Sequence, residues 1–401
     1  MNESHDSEAL RRRYDKATAD LAPPFAVVDA EAFDANGEQL RRRAGGMPVR
    51  LATKSLRSAG MIRRALAVEG FSGALGYALS EALWLVRRDV VDDVVVGYPS
   101  ADRRALAELI ADEKAARCVT LMVDDVAQLD LVDSIAPPTG RPSLRVCLDL
   151  DASWRPLGGR FHVGVRRSPV HAPIDAVRLA KRIVARPGFD LVGMMSYEAQ
   201  ISGVGQQAGL RSPAVRFVQH RSFAELRRRR GAAVAAVRQL ADLEFVNGGG
   251  TGSLSVTALD ESVTELTAGS GFYAPALFDG YDAFKLRPAA AFALSVTRRP
   301  APDVATLHGG GWPASGEAGA SRLPRPWLPE GLELLAAEGA GEVQTPVTGA
   351  PARDLRVGDR VWFRHAKAGE LAERVAELHL ISGDEVTDVV ATYRGEGQAF
   401  L

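Results

Sequence analysis

The sequence predicts an α/β protein: a (β/α)8 barrel of the TIM type followed by a C-terminal, mostly β domain. Three observations carry this expectation. Between Val49 and Gly269, eight short apolar runs alternate with amphipathic stretches, the order that a parallel sheet with crossover helices requires. Beyond Leu286, short strand-like runs are joined by turns with few helical stretches, the pattern of a separate β unit. The chain has 401 residues, enough for a large barrel and a second domain.

In chain order, Met1 to about Ala22 reads as a charged amphipathic helix stopped by Pro23-Pro24, so residues 1–24 are expected to form an N-terminal helical extension. The apolar run Phe25–Asp29 introduces the strand series and opens the barrel unit, residues 25–285. Barrel strands are expected at Val49–Lys54, Gly73–Ala78, Val94–Pro99, Cys118–Asp124, Leu144–Leu150, Leu191–Tyr197, Phe245–Gly248 and Glu265–Gly269. Helices are expected at Arg103–Ala116, Val126–Ile135, Ile174–Ala185 and Ala214–Leu243. Residues 286–401 then form the β-domain, with strands at Ala291–Thr297, Val304–Leu307, Arg360–Phe363, Glu377–Ile381 and Val386–Thr392. The stretch Gly309–Pro329 reads as an ordered loop, because Trp312 and Trp327 stand among its glycines.

Composition excludes several classes. Hydrophobic residues make up 46% and charged residues 25%, a well-cored globular balance. The net charge of −1 gives no field to attract nucleic acid or an anionic membrane. The run Arg227–Arg230 has no interleaved aromatics and reads as a solvated helix face. Two cysteines, Cys118 and Cys147, are too few for a disulfide framework and read as small core residues. The polar N-terminus has no apolar signal core, and no stretch approaches a membrane span. A soluble, cytoplasmic protein is expected, with neither nucleic acid nor membrane as partner.

Chemistry points to two places. Lys54 ends the first barrel strand, ahead of the helix-like Ser58–Glu69. Catalytic groups of barrels gather at that end of the strands, where a desolvated lysine amine becomes a nucleophile toward an aldehyde. The second place is Phe245-Val246-Asn247-Gly248-Gly249-Gly250-Thr251-Gly252-Ser253, after the seventh strand. Consecutive glycines let backbone N–H groups converge on an anion, and Thr251 and Ser253 add hydroxyl donors. Gly269-Ser270-Gly271, at the next strand end, supplies more. The spacing is neither a P-loop nor a dinucleotide fingerprint. A reactive lysine and a phosphate cradle on one barrel mouth together fit pyridoxal 5'-phosphate, whose ring serves as an electron sink.

Pro24-Phe25-Ala26-Val27-Val28-Asp29, Arg50-Leu51-Ala52-Thr53-Lys54-Ser55, Tyr197-Glu198-Ala199-Gln200, Asn247–Gly252, Glu265 with Gly269-Ser270, Val357-Gly358-Asp359, His365 and Tyr393-Arg394-Gly395 together resemble one group. It is the alanine-racemase-type (fold type III) pyridoxal-phosphate enzymes, and within them the D-threonine aldolase and D-serine dehydratase branch. The resemblance implies that Lys54 is the Schiff-base lysine. It also implies that Tyr197, Gly249, Gly250, Thr251, Gly252 and Ser270 lie near the phosphate, with Arg50 a further cofactor contact. A small amino-acid substrate and a homodimer follow from the same resemblance.

Two departures matter. The branch holds a divalent metal on a histidine and a second ligand two residues on, where this chain has His365-Ala366-Lys367. One histidine beside an ammonium is a poor metal site. Either Lys367 replaces the ion, with His365 as base or hydrogen-bond partner at the substrate β-hydroxyl, or both residues are structural. A metal returns only if Glu370 or His308 moves beside His365. The residue facing the pyridine nitrogen, an arginine in relatives, is replaced here by His162 or by Arg160 shifted into place.

The activity implied is cleavage of, or elimination from, a β-hydroxy D-amino acid, as a D-threonine aldolase-like or D-serine dehydratase-like lyase. An amino-acid racemase would need a second base, for which the β-domain offers Tyr393. A non-catalytic pyridoxal-phosphate carrier would need no β-domain.

Overall fold

The computed structural model describes residues 2–203, 212–367 and 369–401. Strand β1 is Phe25–Asp29. Eight strands then close a parallel barrel: β2 (Val49–Ala52), β3 (Phe71–Gly76), β4 (Val94–Val96), β5 (Val119–Val123), β6 (Leu144–Asp149), β7 (Phe189–Ser196), β8 (Phe245–Gly248) and β9 (Glu265–Ala268). The ring shuts where β2 pairs with β9, Val49 opposite Leu266 and Leu51 opposite Ala268. Strands β2, β4, β5, β8 and β9 are buried along their whole length, because helices cover the outside while side chains fill the inside.

Alternation along the strands sends Val95, Met122, Cys147, Met195 and Phe245 into the lumen, and Val192, at the register shift in β7, joins their cluster. Gly193 makes room for this filling. A Cβ there would stand 2.3 Å from the Phe245 ring.

The second sheet holds β1 and the remaining strands: β10 (Ala290–Ala301), β11 (Val304–His308), β12 (Arg325–Leu328), β13 (Glu333–Leu334), β14 (Gln344–Thr348), β15 (Arg360–Arg364), β16 (Glu377–Ser382) and β17 (Glu385–Ala391). Its order is β13-β14-β11-β10-β1-β16-β17, with β15 pairing β10 and β12. The expectation that Phe25 opens the barrel is therefore corrected. Strand β1 pairs antiparallel with β10 and parallel with β16, and its residues are buried on both faces. Val27 packs with Tyr14, Trp362 and Ile381, while Ala26 and Val28 join the main core.

The N-terminal helix ends at Ala17 and docks on this sheet. Tyr14 meets the Trp362 ring edge-on at 5.2 Å, and Trp362 Nε1 donates to Asp15 at 2.9 Å. The expected helix Arg103–Ala116 is two helices, Arg103–Ala111 and Glu113–Cys118. Asp112 interrupts it and caps the second, accepting from the Ala115 amide at 3.0 Å. Cys118 therefore ends a helix rather than lying in a strand, and both cysteines are free thiols. No helix among the described residues is long and apolar enough to cross a membrane.

Gly193→Ala forces the new methyl into the Phe245 ring and should cost about 1–3 kcal/mol through overpacking. Urea denaturation of the two proteins checks this.

Candidate active site

Lys54 sits on a single 3-10 turn, Thr53–Ser55, directly after β2. The turn is tied from three sides. Thr53 Oγ1 donates to the Leu75 carbonyl at 3.2 Å. Arg57 Nε donates to the Lys54 carbonyl at 3.0 Å, while its Nη1 reaches Glu373 at 2.7 Å. From the β-domain, Gly369 presses so close that a Cβ there would stand 2.4 Å from the Lys54 carbonyl oxygen.

The lysine's Nζ donates to Tyr98 Oη at 3.1 Å. Tyr98 follows β4, and the Arg167 guanidinium lies 5.5 Å from the ring centroids of both Tyr98 and Tyr197. Burial pushes the Tyr98 hydroxyl up, but the charge and hydrogen bond of Lys54, with Arg167 behind them, bring it below its ordinary value. Burial, then the neighbouring Asp124, raises the Asp149 carboxyl at the end of β6 to about 7.

Across the mouth, the glycine loop is folded against Ser202. A Cβ at Gly250 would stand 2.0 Å from Ser202 Oγ, and one at Gly252 2.1 Å from the Ser202 carbonyl. Gly249 takes a φ of +82°, open to glycine at no steric cost. Its N–H donates to the buried Glu198 at 3.0 Å, and Thr257 Oγ1 donates to the other Glu198 oxygen at 2.5 Å. Gly249 thus shapes the loop with its amide already committed. Gly250 N–H points to Ser253 Oγ at 3.2 Å, and Ser270 Oγ and Gly271 N–H converge on Thr251 Oγ1 at 3.3 and 3.2 Å. Tyr197 links the two halves, since a Cβ at Gly250 would stand 3.3 Å from its ring.

Arg43 supplies what the sequence reading missed. Its Nη2 donates to the Thr251 carbonyl at 2.7 Å, and its guanidinium lies 3.7 Å from the Phe284 centroid. Burial pushes it down to about 10. Its Nη1 is buried without a hydrogen-bond partner among the described residues. A loop with no room for a Cβ at Gly250 or Gly252, hydroxyls from two strand ends and the uncommitted Nη1 of Arg43 behind them fit a phosphate group.

Other sequence candidates lie elsewhere. Arg50 is paired inside the barrel with Glu265 at 2.7 Å and with Asp93 at 2.9 Å, because it stands near the start of β2, at the opposite end of the strand from Lys54. Arg160 is exposed, and the His162 ring engages the Val165 carbonyl at 3.0 Å. Arg167 is the cation that reaches the Lys54 cluster. His365 is fully buried, edge-on to Tyr273 at 6.2 Å. Lys367 is half-buried and donates to the Ser315 carbonyl at 3.2 Å. Burial, then Arg322, lowers its pKa, and the charges of Lys54 and Arg167 act in the same direction. Its neighbour Glu370 holds Ser315 Oγ at 3.3 Å. Tyr393 is buried and donates to Glu81 at 2.7 Å, so its hydroxyl is spent below the mouth. His308 is exposed. Among the described residues, no group of three or more His, Cys, Asp or Glu side chains is placed to hold a metal ion.

The family described as "Alanine racemase, N-terminal domain" matches residues 28–273, more than half of the chain. A 3-hydroxy-D-aspartate aldolase of Paracoccus denitrificans is 26% identical over 254 residues, 63% of this chain. The match spans 60% of that protein's length. Among solved structures, D-threonine aldolase from Filomicrobium marinum superposes with a TM-score of 0.76 at 18% identity, over 94% of this chain and 96% of that one. D-threo-3-hydroxyaspartate dehydratase from Delftia sp. HT23 gives 0.72 at 17% identity, over 93% and 97%. These two likenesses establish the fold.

Glu81, beneath the Lys54 turn, is raised by burial to about 7 despite hydrogen bonds from the Tyr77 amide and Tyr393. Its folded form therefore holds a proton that the unfolded chain releases at lower pH. Stability from this group is full below the ordinary carboxylate range and is lost as pH rises through about 7. Asp149 acts in the same sense. Glu81→Gln should flatten, without abolishing, the fall in urea midpoint between roughly pH 5 and pH 8.

Proposed function

The chain belongs to the alanine racemase N-terminal domain family, and from that premise we propose that it is a pyridoxal-phosphate-dependent lyase acting on a β-hydroxy D-amino acid. One observation carries the reading. Lys54 Nζ and the Gly250–Ser253 cradle share one barrel mouth, joined by Tyr197. When bound, the cofactor supplies an aldehyde for Lys54 and a ring that accepts the electron pair released at the substrate α-carbon. The protein does the rest. Gly250, Thr251, Gly252, Ser253 and Ser270 hold the phosphate, with Arg43 adding charge from behind Thr251. Tyr197 and Arg167 wall the ring, Arg167 replacing Arg160 and His162 in that role.

Lys367 is the group offered to the β-hydroxyl, and His365, packed behind Tyr273, positions the loop that carries it. A lysine whose proton is loosened by burial acts as a base. Retro-aldol cleavage needs a base at that oxygen, whereas elimination needs an acid, so the aldolase reading is favoured. A racemase would need an opposite-face base, and the commitment of Tyr393 to Glu81 counts against it. A soluble cytoplasmic enzyme completes the reading, as the polar N-terminus suggests, with a homodimer on the strength of the resemblance.

The test is product analysis with pyridoxal phosphate and either D-threonine or D-3-hydroxyaspartate, with and without a chelator. Glycine plus the matching aldehyde, insensitive to chelator, is expected. A 2-oxo acid plus ammonia would move the assignment to a dehydratase. Lys367→Met should lower kcat on the order of a hundredfold with little change in KM. An unchanged kcat would remove Lys367 from the chemistry.

A further inference from the structure

Lys54 can attack an aldehyde only after its ammonium gives up a proton, since the charged form has no lone pair. We infer that Tyr98 is the proton partner of Lys54, taking the ammonium proton and returning it as the carbon–nitrogen double bond forms. This rests on the proposed Schiff-base role of Lys54.

The geometry names Tyr98. Its hydroxyl is the group that Nζ meets, at 3.1 Å, within direct transfer distance. It stands in the loop after β4, on the same barrel end as the Lys54 turn after β2. The groups facing this pair come from every neighbouring element: Arg167 over the Tyr98 ring, Asp149 at the end of β6, Tyr197 after β7 and Lys367 from the β-domain. Arg167 and Lys54 favour the phenolate, while Asp149 opposes it. A phenol held between these charges exchanges a proton with an amine more readily than a carboxylate would, because a carboxylate would keep the ammonium charged.

The step balances. With Tyr98 as the phenolate, one N–H bond of the Lys54 ammonium breaks toward Oη, and the freed lone pair bonds to the aldehyde carbon while the carbonyl pair moves to its oxygen. That oxygen leaves as water, carrying the proton from Tyr98 and one more from the nitrogen. Tyr98 ends as it began.

The experiment follows the rate at which cofactor-free protein develops imine absorbance with added pyridoxal phosphate, as a function of pH. Borohydride trapping and peptide mapping locate the bond. Tyr98→Phe is expected to slow imine formation near neutral pH by on the order of a hundredfold, with the circular dichroism spectrum unchanged. Replacing Tyr98 by the more acidic 3-fluorotyrosine should move the acid limb of the profile to lower pH, which a merely structural side chain would not do. An unmoved limb, or a Tyr98→Phe protein that matches wild type, overturns the inference and leaves the function standing. Failure of the wild-type protein to form the bond at Lys54 overturns both.

Discussion

The architecture of the site depends on one contact, the approach of Gly369 to the backbone of Lys54 and Ser55. With only 2.4 Å available to a Cβ at that point, the loop after β15 must lie flat on the 3-10 turn that carries the lysine. This brings the β-domain onto the barrel mouth, with the backbone of the same loop received by the chain beyond β9. The Ala276 amide donates to the His365 carbonyl at 3.1 Å and the Leu277 amide to Ala366 at 3.0 Å. Lys367 follows directly, so its amine reaches the neighbourhood of Lys54 through a backbone contact made elsewhere.

Charge is organised around the same point. Arg322, Lys54 and Arg167 all bear on Lys367 across the mouth, and Arg43 stands behind the glycine loop. Such a gathering of like charges is favoured by anionic groups among them. A phosphate at one end and a substrate carboxylate at the other would satisfy it. Glu198 explains how the loop keeps its shape. It is fully buried, accepts from Gly249 and Thr257, and has Arg230 at 3.8 Å, itself paired with Asp260 at 2.8 Å.

Much of the fold was legible because buried parallel strands read as short apolar runs, and Val94–Val96 or Val119–Val123 can hardly be anything else. Strand β1 was not, since a run of four apolar residues looks the same in a barrel and in a neighbouring sheet, and only its partners β10 and β16 decide. Arg50 misled for a related reason: its proximity to Lys54 in sequence hides that side chains of one strand enter the barrel at different heights. Tyr98 and Arg167 lacked a motif. Yet Tyr98 follows a barrel strand just as Lys54 does, and the strand-end rule that selected one could have selected the other. Arg43 sits in Arg41-Arg42-Arg43 at a helix end, where nothing distinguishes the one that turns inward.

The measurement that bears most directly on the central claim is a crystal structure of the protein grown with pyridoxal phosphate. The account predicts continuous density from Lys54 Nζ to the cofactor's aldehyde carbon, with the phosphate against Gly250–Ser253 and Ser270 and Arg43 behind it. A cofactor bound without a link to Lys54, or with its phosphate away from the glycine loop, would contradict it.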